Sequence, residues 1–190
     1  MTLVPILVID LEATCADDGS IAPEAMETIE VGAVWATPDG TPLDRFQAFV
    51  RPLERPQLTP FCTALTGIRQ ADIDAAPLFP VVAEALRAFA SRHHDATRWM
   101  SWGAYDRKQI ERDCARHGVS NPLQLAHENA KRHFAKHQRI GKEVGMAKAC
   151  ELARIEAYGT SHRGLDDALN ISRLLPWVLG ERSLRSPPAA

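Results

Sequence analysis

The chain has 190 residues, 45% of them hydrophobic and 24% charged, which is typical of one compact globular domain with a buried core. Its formal net charge of −2 argues against a protein that coats nucleic acid electrostatically, because such proteins carry a large basic excess. The four cysteines form no C-x-x-C pair and no segment approaches the length of a membrane span, so we expect a cytoplasmic protein without membrane association.

The first third of the chain predicts three strands. Two are short apolar runs rich in β-branched residues, and the turn sequence Pro38-Asp39-Gly40 leads from the second to the third as in an antiparallel hairpin. The predicted strands are residues 4–10, 28–37 and 46–50. The proline-rich residues 52–60 then exclude a long element, and we expect a connector with a short helix at 61–65.

The rest of the chain predicts mainly helices. The predicted elements are a helix at 80–91, a strand at 98–102 and helices at 104–117, 142–153 and 166–179. Gly118 and Gly180 follow two of these helices as stop signals. Strands followed by helices with a further strand predict an α/β domain with a mixed sheet. We assign residues 1–182 to this domain and 183–190 to a disordered tail.

The stretch VIDLEATC, residues 8–15, places two acids at the end of an apolar strand. Residues two apart in a strand share a face, so Asp10 and Glu12 present both carboxylates together. Two close carboxylates repel each other unless a cation lies between them, and phosphoryl-transfer enzymes hold two divalent cations with oxygen ligands. A strand end that simply meets solvent is the alternative, and D-x-E alone favours that alternative.

A third acid begins a predicted helix. Asp106 shares a helix face with Ile110 and Cys114, so its side chain is expected to point toward the core. An acid that is merely stabilised by the helix dipole near a helix N-terminus is the alternative interpretation.

The segment SHRGLDDALNISRLL supplies a fourth acid and a histidine. Asp167 lies on the apolar stripe of the last helix, whereas Asp166 lies on the other side and is expected to be a capping or outer residue. His162 precedes Asp167 by five residues, and Gly164 between them indicates a mobile loop. A histidine near neutral pKa is suited to accept a proton from water, although a lone loop histidine is more often a surface residue.

Together these motifs resemble those of the DEDDh 3′-to-5′ exonucleases of the RNase H-like, DnaQ-like superfamily, and the similarity covers nearly the whole chain. The segments LTPFCTALTGIRQADIDAAPLFPVV and HRGLDDALNISRLL are most similar to the branch that contains the histone-mRNA 3′ exonuclease and the enhanced-RNA-interference exonucleases. The resemblance implies an α/β fold, an RNase H-like mixed sheet with helices on both faces.

The resemblance also implies a site and a reaction. Asp10, Glu12, Asp106 and Asp167 would bind two Mg²⁺ or Mn²⁺ ions, and His162 would be the general base. The implied reaction is attack of a water molecule on the last phosphodiester at the 3′ end of a single strand, with RNA favoured and DNA as the other substrate. Nucleoside 5′-monophosphates would be released.

The implied substrate contacts are Leu11, Ala13, Phe61, Tyr105 and His162. Phe61 and Tyr105 match two aromatic residues that stack on the terminal base, and a tyrosine stands where the branch leads us to expect tryptophan. The family's larger members carry a separate nucleic-acid-binding domain. We therefore expect a short footprint on a 3′ end and carry over no stem-loop or small-RNA specificity.

Several other features leave alternatives open. The basic segment 131–142 either holds the backbone of the incoming strand or is a solvated loop. Within it, His133 and His137 favour a solvated or phosphate-facing stretch over a second metal site. Glu30 is expected either to support the site or to form an ordinary ion pair. The four tryptophans are at least as consistent with the core as with substrate contacts.

Two other functions compete with an exonuclease. One is a non-catalytic nucleic-acid or partner-binding module on the same fold, which the retention of four mutually repelling acids argues against. The other is a proofreading subunit held by a polymerase, for which we expect an appended binding segment. The sequence leaves open whether the protein has a protein partner.

Overall fold

The computed structural model describes residues 4–184 and contains a five-stranded mixed sheet in the order β3-β2-β1-β4-β5. The first three strands pair antiparallel, and β4 and β5 continue the sheet parallel to β1. The strands are β1 (Ile6–Ala13), β2 (Thr28–Ala36), β3 (Pro42–Phe49), β4 (Arg98–Ser101) and β5 (Ala126–Asn129). The helices are α1 (Pro60–Thr66), α2 (Gln70–Asp74), α3 (Phe79–Ala90), α4 (Tyr105–His117), α5 (Ala130–His137), α6 (Met146–Ala153) and α7 (Gly164–Val178).

Helices cover both faces of this sheet because β1 is apolar on both of its faces. Leu7 and Ile9 belong to the core cluster that contains side chains of α3 and α4. Ile6 and Val8 belong to the second cluster, with side chains of α5, α6 and α7. The alternation along β1 therefore assigns its even-numbered positions to the α7 side of the sheet.

Most of the predicted elements are present, with shifted ends. The predicted helix at 142–153 begins only at Met146, because Gly145 is extended and Gly141 has a φ of 75°. The first strand continues beyond residue 10 to Ala13, since Glu12 still pairs with Glu30 of β2. The predicted hairpin turn is confirmed, and Gly40 adopts a φ of 88° in it.

Besides a short 3-10 helix at Pro23–Ala25, three elements were not predicted: α2, α5 and β5. The sequence of β5 is AHEN, which has no apolar alternation, so no hydrophobic pattern indicates a strand. Its position depends on parallel pairing with β4 and on a side-chain hydrogen bond of 3.0 Å between Ser101 Oγ and His127 Nε2. The basic segment, for which a solvated loop was one interpretation, instead contains most of α5, and the fully buried Phe134 anchors this helix in the core.

The predicted tail at 183–190 lies outside the described residues except for Ser183 and Leu184. The amide of Leu184 donates a hydrogen bond of 2.8 Å to Gln138 Oε1. Across residues 4–184, no helix combines the length and apolar character that a membrane span requires. All four cysteines are free thiols.

A close backbone approach joins α7 to the sheet. Gly32 of β2 lies opposite Asp10, and a Cβ atom at Gly32 would lie 2.0 Å from the carbonyl carbon of Gly164 and 2.1 Å from the amide nitrogen of Leu165. Real side chains do not tolerate such distances to backbone atoms. The absence of a side chain at Gly32 therefore allows the first turn of α7 to lie against β2, beside the acids of β1.

Gly32→Ala is expected to destabilise the protein by about 3 kcal/mol or more, because backbone atoms must move to accommodate the methyl group. Gly145→Ala is the matched control, since Gly145 is extended with a φ of −62° and has open space around its Cβ position. Urea unfolding of both variants measures the difference. Equal stability of the two variants would contradict the close approach.

Candidate active site

A cavity of about 520 Å³ lies where β1 and β4 end at their carboxyl edges. Strand β1, the loop after it, and the first turns of α4, α6 and α7 all contribute to its wall. Asp10, Glu12, Asp106, His162 and Asp167 line this cavity together. The structure thus brings the five predicted catalytic residues, which come from three separated segments, to one place.

The two acids of β1 reach the cavity through strand periodicity. Asp10 and Glu12 occupy the same face of β1 as Val8, and this is the face that α7 covers. The Glu12 side chain is buried and Asp10 is partly buried. The burial of apolar neighbours along β1 therefore also holds two carboxylates at a fixed spacing.

Asp106 is hydrogen-bonded to the backbone of β1, the strand that carries Asp10 and Glu12. It lies buried in the first turn of α4, and its Oδ1 accepts a hydrogen bond of 3.0 Å from the amide of Leu11. Ile110 and Cys114 of the same helix are buried, as their shared face predicted. The Leu11 amide lies between Asp10 and Glu12 in the chain, so this hydrogen bond ties the start of α4 to the acidic end of β1.

A hydrogen bond joins the backbone of His162 to the side chain of Asp167. The amide of His162 donates to Asp167 Oδ2 at 2.9 Å, and His162 adopts a φ of 61°, a left-handed conformation that residues other than glycine seldom take. Asp167 is buried, whereas the His162 side chain is exposed. Asp166 instead accepts a hydrogen bond of 2.9 Å from the amide of Thr160 in the loop before α7, so of its two predicted roles it has the outer one and does not cap the helix.

The donor set fits a hard divalent cation. Ligand atoms of Glu12, His162 and Asp167 lie within 4.8 Å of one another. Asp167 Oδ1 is buried and, within residues 4–184, is without a hydrogen-bond partner. A buried carboxylate oxygen that lacks a partner is costly unless a cation binds it, and carboxylate oxygens are the ligands that Mg²⁺ and Mn²⁺ prefer.

A buried ion pair supports the histidine loop from the other side. Glu30 of β2 is fully buried and accepts hydrogen bonds from Arg163 Nε at 3.1 Å and from the Gly164 amide at 3.0 Å. It also accepts a hydrogen bond of 2.5 Å from Gln47 Nε2. Of the two interpretations open for Glu30, both are realised: it forms an ion pair, and this pair holds the residues that follow His162.

Burial and mutual repulsion raise the pKa values of the four acids. For Glu12, burial followed by repulsion from Asp167, Glu30 and Asp106 raises the pKa to about 8. Burial raises the pKa of Asp106 and that of Asp167 to about 6. The pKa of Asp10 is also raised well above its usual range, by burial and then by repulsion from Asp106 and Glu12. The site is therefore electrostatically incomplete without positive charge.

The predicted substrate contacts lie at the cavity in part. Leu11, Ala13 and Tyr105 line it, and 40% of the Tyr105 surface is exposed. Phe61 does not line it: this residue lies in the first turn of α1, whereas Leu65 in the second turn reaches the cavity. Leu65 is thus a cavity residue that the sequence did not indicate, and the contact of Phe61 with the terminal base stays a prediction.

Other cavity residues had no motif of their own. Met26 and Trp102 line the wall, as does the segment Gly145, Met146 and Ala147 at the start of α6. Trp102 is also held by a hydrogen bond of 3.0 Å from its Nε1 to the carbonyl of Val144. Trp35 and Trp99 are buried in the core. Of the two interpretations of the tryptophans, core packing therefore holds for these two, whereas Trp102 lies where it could contact a substrate.

A mixed sheet of this order with acids clustered at its carboxyl edge defines the RNase H-like class of fold, and the comparisons agree. The exonuclease family model of the RNase T type matches residues 7–175. The chain belongs to this exonuclease family, in its DEDDh class of 3′–5′ exonucleases, which are phosphodiester hydrolases.

Among curated relatives, human ERI1 exoribonuclease 2 is 31% identical over 92% of this chain and 28% of its own length. The chain thus spans little more than a quarter of that relative. The probable 3′-5′ exonuclease KapD of Bacillus subtilis is 26% identical over 99% of this chain and 91% of its own length. Mouse 3′-5′ exoribonuclease 1 is 29% identical over 89% of this chain and 51% of its own length.

Two solved structures show the same fold. The nuclease domain of 3′hExo, a DEDDh family member bound to rAMP, has a TM-score of 0.82 and 27% identity, over 94% of this chain and 93% of that domain. A structure of 3′-end-specific recognition of the histone mRNA stem-loop by 3′-exonuclease has a TM-score of 0.82 and 26% identity, covering 95% of this chain and 84% of that one. The RNase H-like mixed sheet predicted from the sequence is confirmed.

The raised pKa values predict how stability depends on pH when divalent cations are absent. Unfolded carboxyl groups have pKa values of about 4, so between about pH 5 and pH 8 the unfolded chain has released protons that the folded site retains. The free energy of unfolding should therefore fall as pH rises, by about 1.4 kcal/mol per pH unit for each group that is protonated only in the folded state. This contribution ends near pH 6 for Asp106 and Asp167 and near pH 8 for Glu12.

Urea unfolding in EDTA across this pH range measures the slope, and Glu12→Gln should flatten it above about pH 6. Burial lowers the pKa values of His127 and His133, and these groups act in the opposite sense. The difference between wild type and Glu12→Gln isolates the carboxylate contribution. A difference that does not change with pH would contradict the raised pKa of Glu12.

Proposed function

We propose that the protein is a metal-dependent 3′-to-5′ exonuclease that hydrolyses single-stranded nucleic acid to nucleoside 5′-monophosphates, with RNA as the favoured substrate and DNA as the other candidate. The observation that carries the proposal is the convergence of four carboxylates and one exposed histidine on a single cavity. Burying mutually repelling acids is costly, and a binding module that does no chemistry gains nothing from that cost.

In this proposal Asp10, Glu12, Asp106 and Asp167 hold two Mg²⁺ or Mn²⁺ ions. When bound, such ions polarise the scissile phosphate and lower the pKa of the attacking water. Two observations support the assignment: Asp167 Oδ1 has no partner among the described residues, and the pKa values of the acids are raised. Cations at the site would give Asp167 Oδ1 a partner and would lower the raised pKa values of the acids.

His162 accepts the proton of the attacking water in this mechanism. Its backbone is held by Asp167 Oδ2, so the imidazole stays beside the acidic cluster while its exposure lets it pass the proton to solvent. Arg163, the residue after His162, forms an ion pair with the buried Glu30, and this pair restrains the histidine loop from the side of the sheet. The general base is thus positioned from both sides along the chain.

The 3′-terminal nucleotide would lie on apolar side chains that border the acids. Tyr105, Leu65 and Met26 provide such a surface at the cavity wall, and stacking or apolar contact with a base tolerates any base. A cavity of about 520 Å³ with such a wall suits stepwise removal of nucleotides from a strand end. The preference for RNA rests on the relatives, several of which are exoribonucleases.

A time course with 5′-labelled single-stranded RNA and DNA of the same sequence tests the proposal. With Mg²⁺ or Mn²⁺ we expect products that shorten from the 3′ end, faster for RNA, and no products in EDTA. Asp10→Asn should abolish this cleavage while the protein stays folded, and it should be more stable than wild type in EDTA because a repulsion is lost. Asp95→Asn, an exposed acid outside the cavity, is the matched control. Binding without any cleavage would instead favour the non-catalytic module.

His162→Ala should lower kcat by about 10² to 10⁴ while the affinity for Mn²⁺ stays close to that of wild type. The loss should shrink as the pH is raised, since hydroxide then replaces the missing base. His94→Ala, which changes an exposed histidine outside the cavity, should leave kcat unchanged. Wild-type turnover in His162→Ala at neutral pH would exclude the general-base role.

A further inference from the structure

The two sides of the cavity carry opposite charge. The loop segment 13–27, whose Cys15 and Met26 line the cavity, contains the exposed acids Asp17, Asp18 and Glu24 and no lysine or arginine. Arg112 and Arg116 reach this segment from α4, but they donate hydrogen bonds to the carbonyls of Pro23, Glu24 and Met26. The exposed charged side chains of the segment itself are therefore all acidic.

The segment 130–148, which contains α5 and the start of α6, has the opposite character. It contains six lysines and arginines and a single acid, Glu143. We call its cationic side chains the basic rim: Lys131, Arg132, Lys136, Arg139, Lys142 and Lys148. Within the described chain, Arg132 pairs with Glu143 and Lys148 with Glu151, whereas Lys136, Arg139 and Lys142 are exposed and make no ion pair.

One end of the basic rim borders the cavity wall, whereas the end of α5 lies beside the C-terminal end of α7, where Gln138 donates a hydrogen bond of 2.7 Å to the carbonyl of Trp177. Gly145, Met146 and Ala147 line the cavity, and Lys142 is three residues before Gly145, so the two Cα atoms are at most about 11 Å apart. Trp102 lies in the same wall, donates its indole N–H to Val144 and packs on Phe134 of α5 with ring centroids 5.8 Å apart. One cavity residue therefore fastens both parts of the rim.

The start of α6 adds backbone donors to these charges. Its N-cap residue is Gly145, which has no side chain to cap the helix, so the first amide groups of α6 remain available beside the cavity. Amides at a helix N-terminus and nearby lysines both attract phosphate. The amides and Lys142 thus lie near the cavity, and Lys136 and Arg139 lie farther from it, toward the end of α5.

We propose that the basic rim binds the phosphates of the single strand just upstream of its 3′ end, so that the strand enters the cavity over the α5–α6 segment and not over the acidic loop. The inference rests on the proposed function, because it assigns the path of that same substrate. It also accounts for a protein of net negative charge that holds a polyanion: the contacts are few and confined to one side.

The test compares the double variant Arg139→Glu with Lys142→Glu against a control double variant, Arg45→Glu with Arg51→Glu, on and just after β3 at the opposite edge of the sheet. Both doubles change the net charge equally. For a 12-nucleotide strand at low salt, the rim variant should lower kcat/KM by about tenfold or more, and the control should not. The dependence of log(kcat/KM) on log[salt] should become shallower by about 1.4, as expected for two lost phosphate contacts.

A dinucleotide substrate separates the rim from the cavity, because it ends before the rim. Its kcat/KM should be the same in wild type and rim variant, which also shows that the variant is folded. Equal loss on both substrates, or no loss on the 12-nucleotide strand, would overturn the proposal.

A binding measurement keeps this test separate from the proposed activity. Fluorescence anisotropy of a labelled 12-nucleotide strand in the Asp10→Asn background needs no cleavage. Weaker binding of the rim variant, with unchanged binding of the control, supports the path even if wild type proves inactive. Equal binding of all three overturns the path even if wild type is an active exonuclease.

Discussion

Four carboxyl groups are held together at the carboxyl edge of the sheet, and their repulsion is the constraint around which the molecule is organised. Three local rules place these acids: strand periodicity places Asp10 and Glu12, the first turn of α4 places Asp106, and the apolar stripe of α7 places Asp167. Many apolar side chains are buried on both faces of β1, and together they stabilise the fold by far more than any single residue does. The fold can therefore hold the acids at a spacing that their mutual repulsion opposes. Burial first, and repulsion second, raises the pKa values of these acids.

The approach of α7 to β2 makes this spacing possible. Gly32 lacks the side chain that would push α7 away, and Glu30, two residues earlier on the same face of β2, accepts hydrogen bonds from the first residues of that helix. A buried carboxylate would be unfavourable alone, but Arg163 supplies the opposite charge and packs on the Phe49 ring at 5.5 Å. The same ion pair restrains the residue after His162. The same contacts of Glu30 therefore position both the start of α7 and the loop that carries His162.

Sequence patterns predicted those parts of the structure that depend on local rules. The acids of β1, the inward direction of Asp106 and the difference between Asp166 and Asp167 follow from periodicity alone, and the structure agrees. Strand β5 could not be predicted, because AHEN is a strand only through its pairing with β4. The place of Leu65 at the cavity depends on the direction in which α1 crosses it, which is a tertiary property. The partner of Glu30 lies 133 residues away in the chain and had no sequence signal.

The distribution of charge qualifies what net charge can say about nucleic-acid binding. A net charge of −2 excludes a protein that binds along its whole surface, yet at physiological salt exposed charges more than about 8 Å apart are largely screened from one another. A strand that touches only the cavity and its border responds to the charges within that distance. Near the α5–α6 segment those charges are positive, and near segment 13–27 they are negative. An enzyme that must release each shortened strand benefits from this arrangement, because a few local contacts can direct the 3′ end without binding the remainder of the chain tightly.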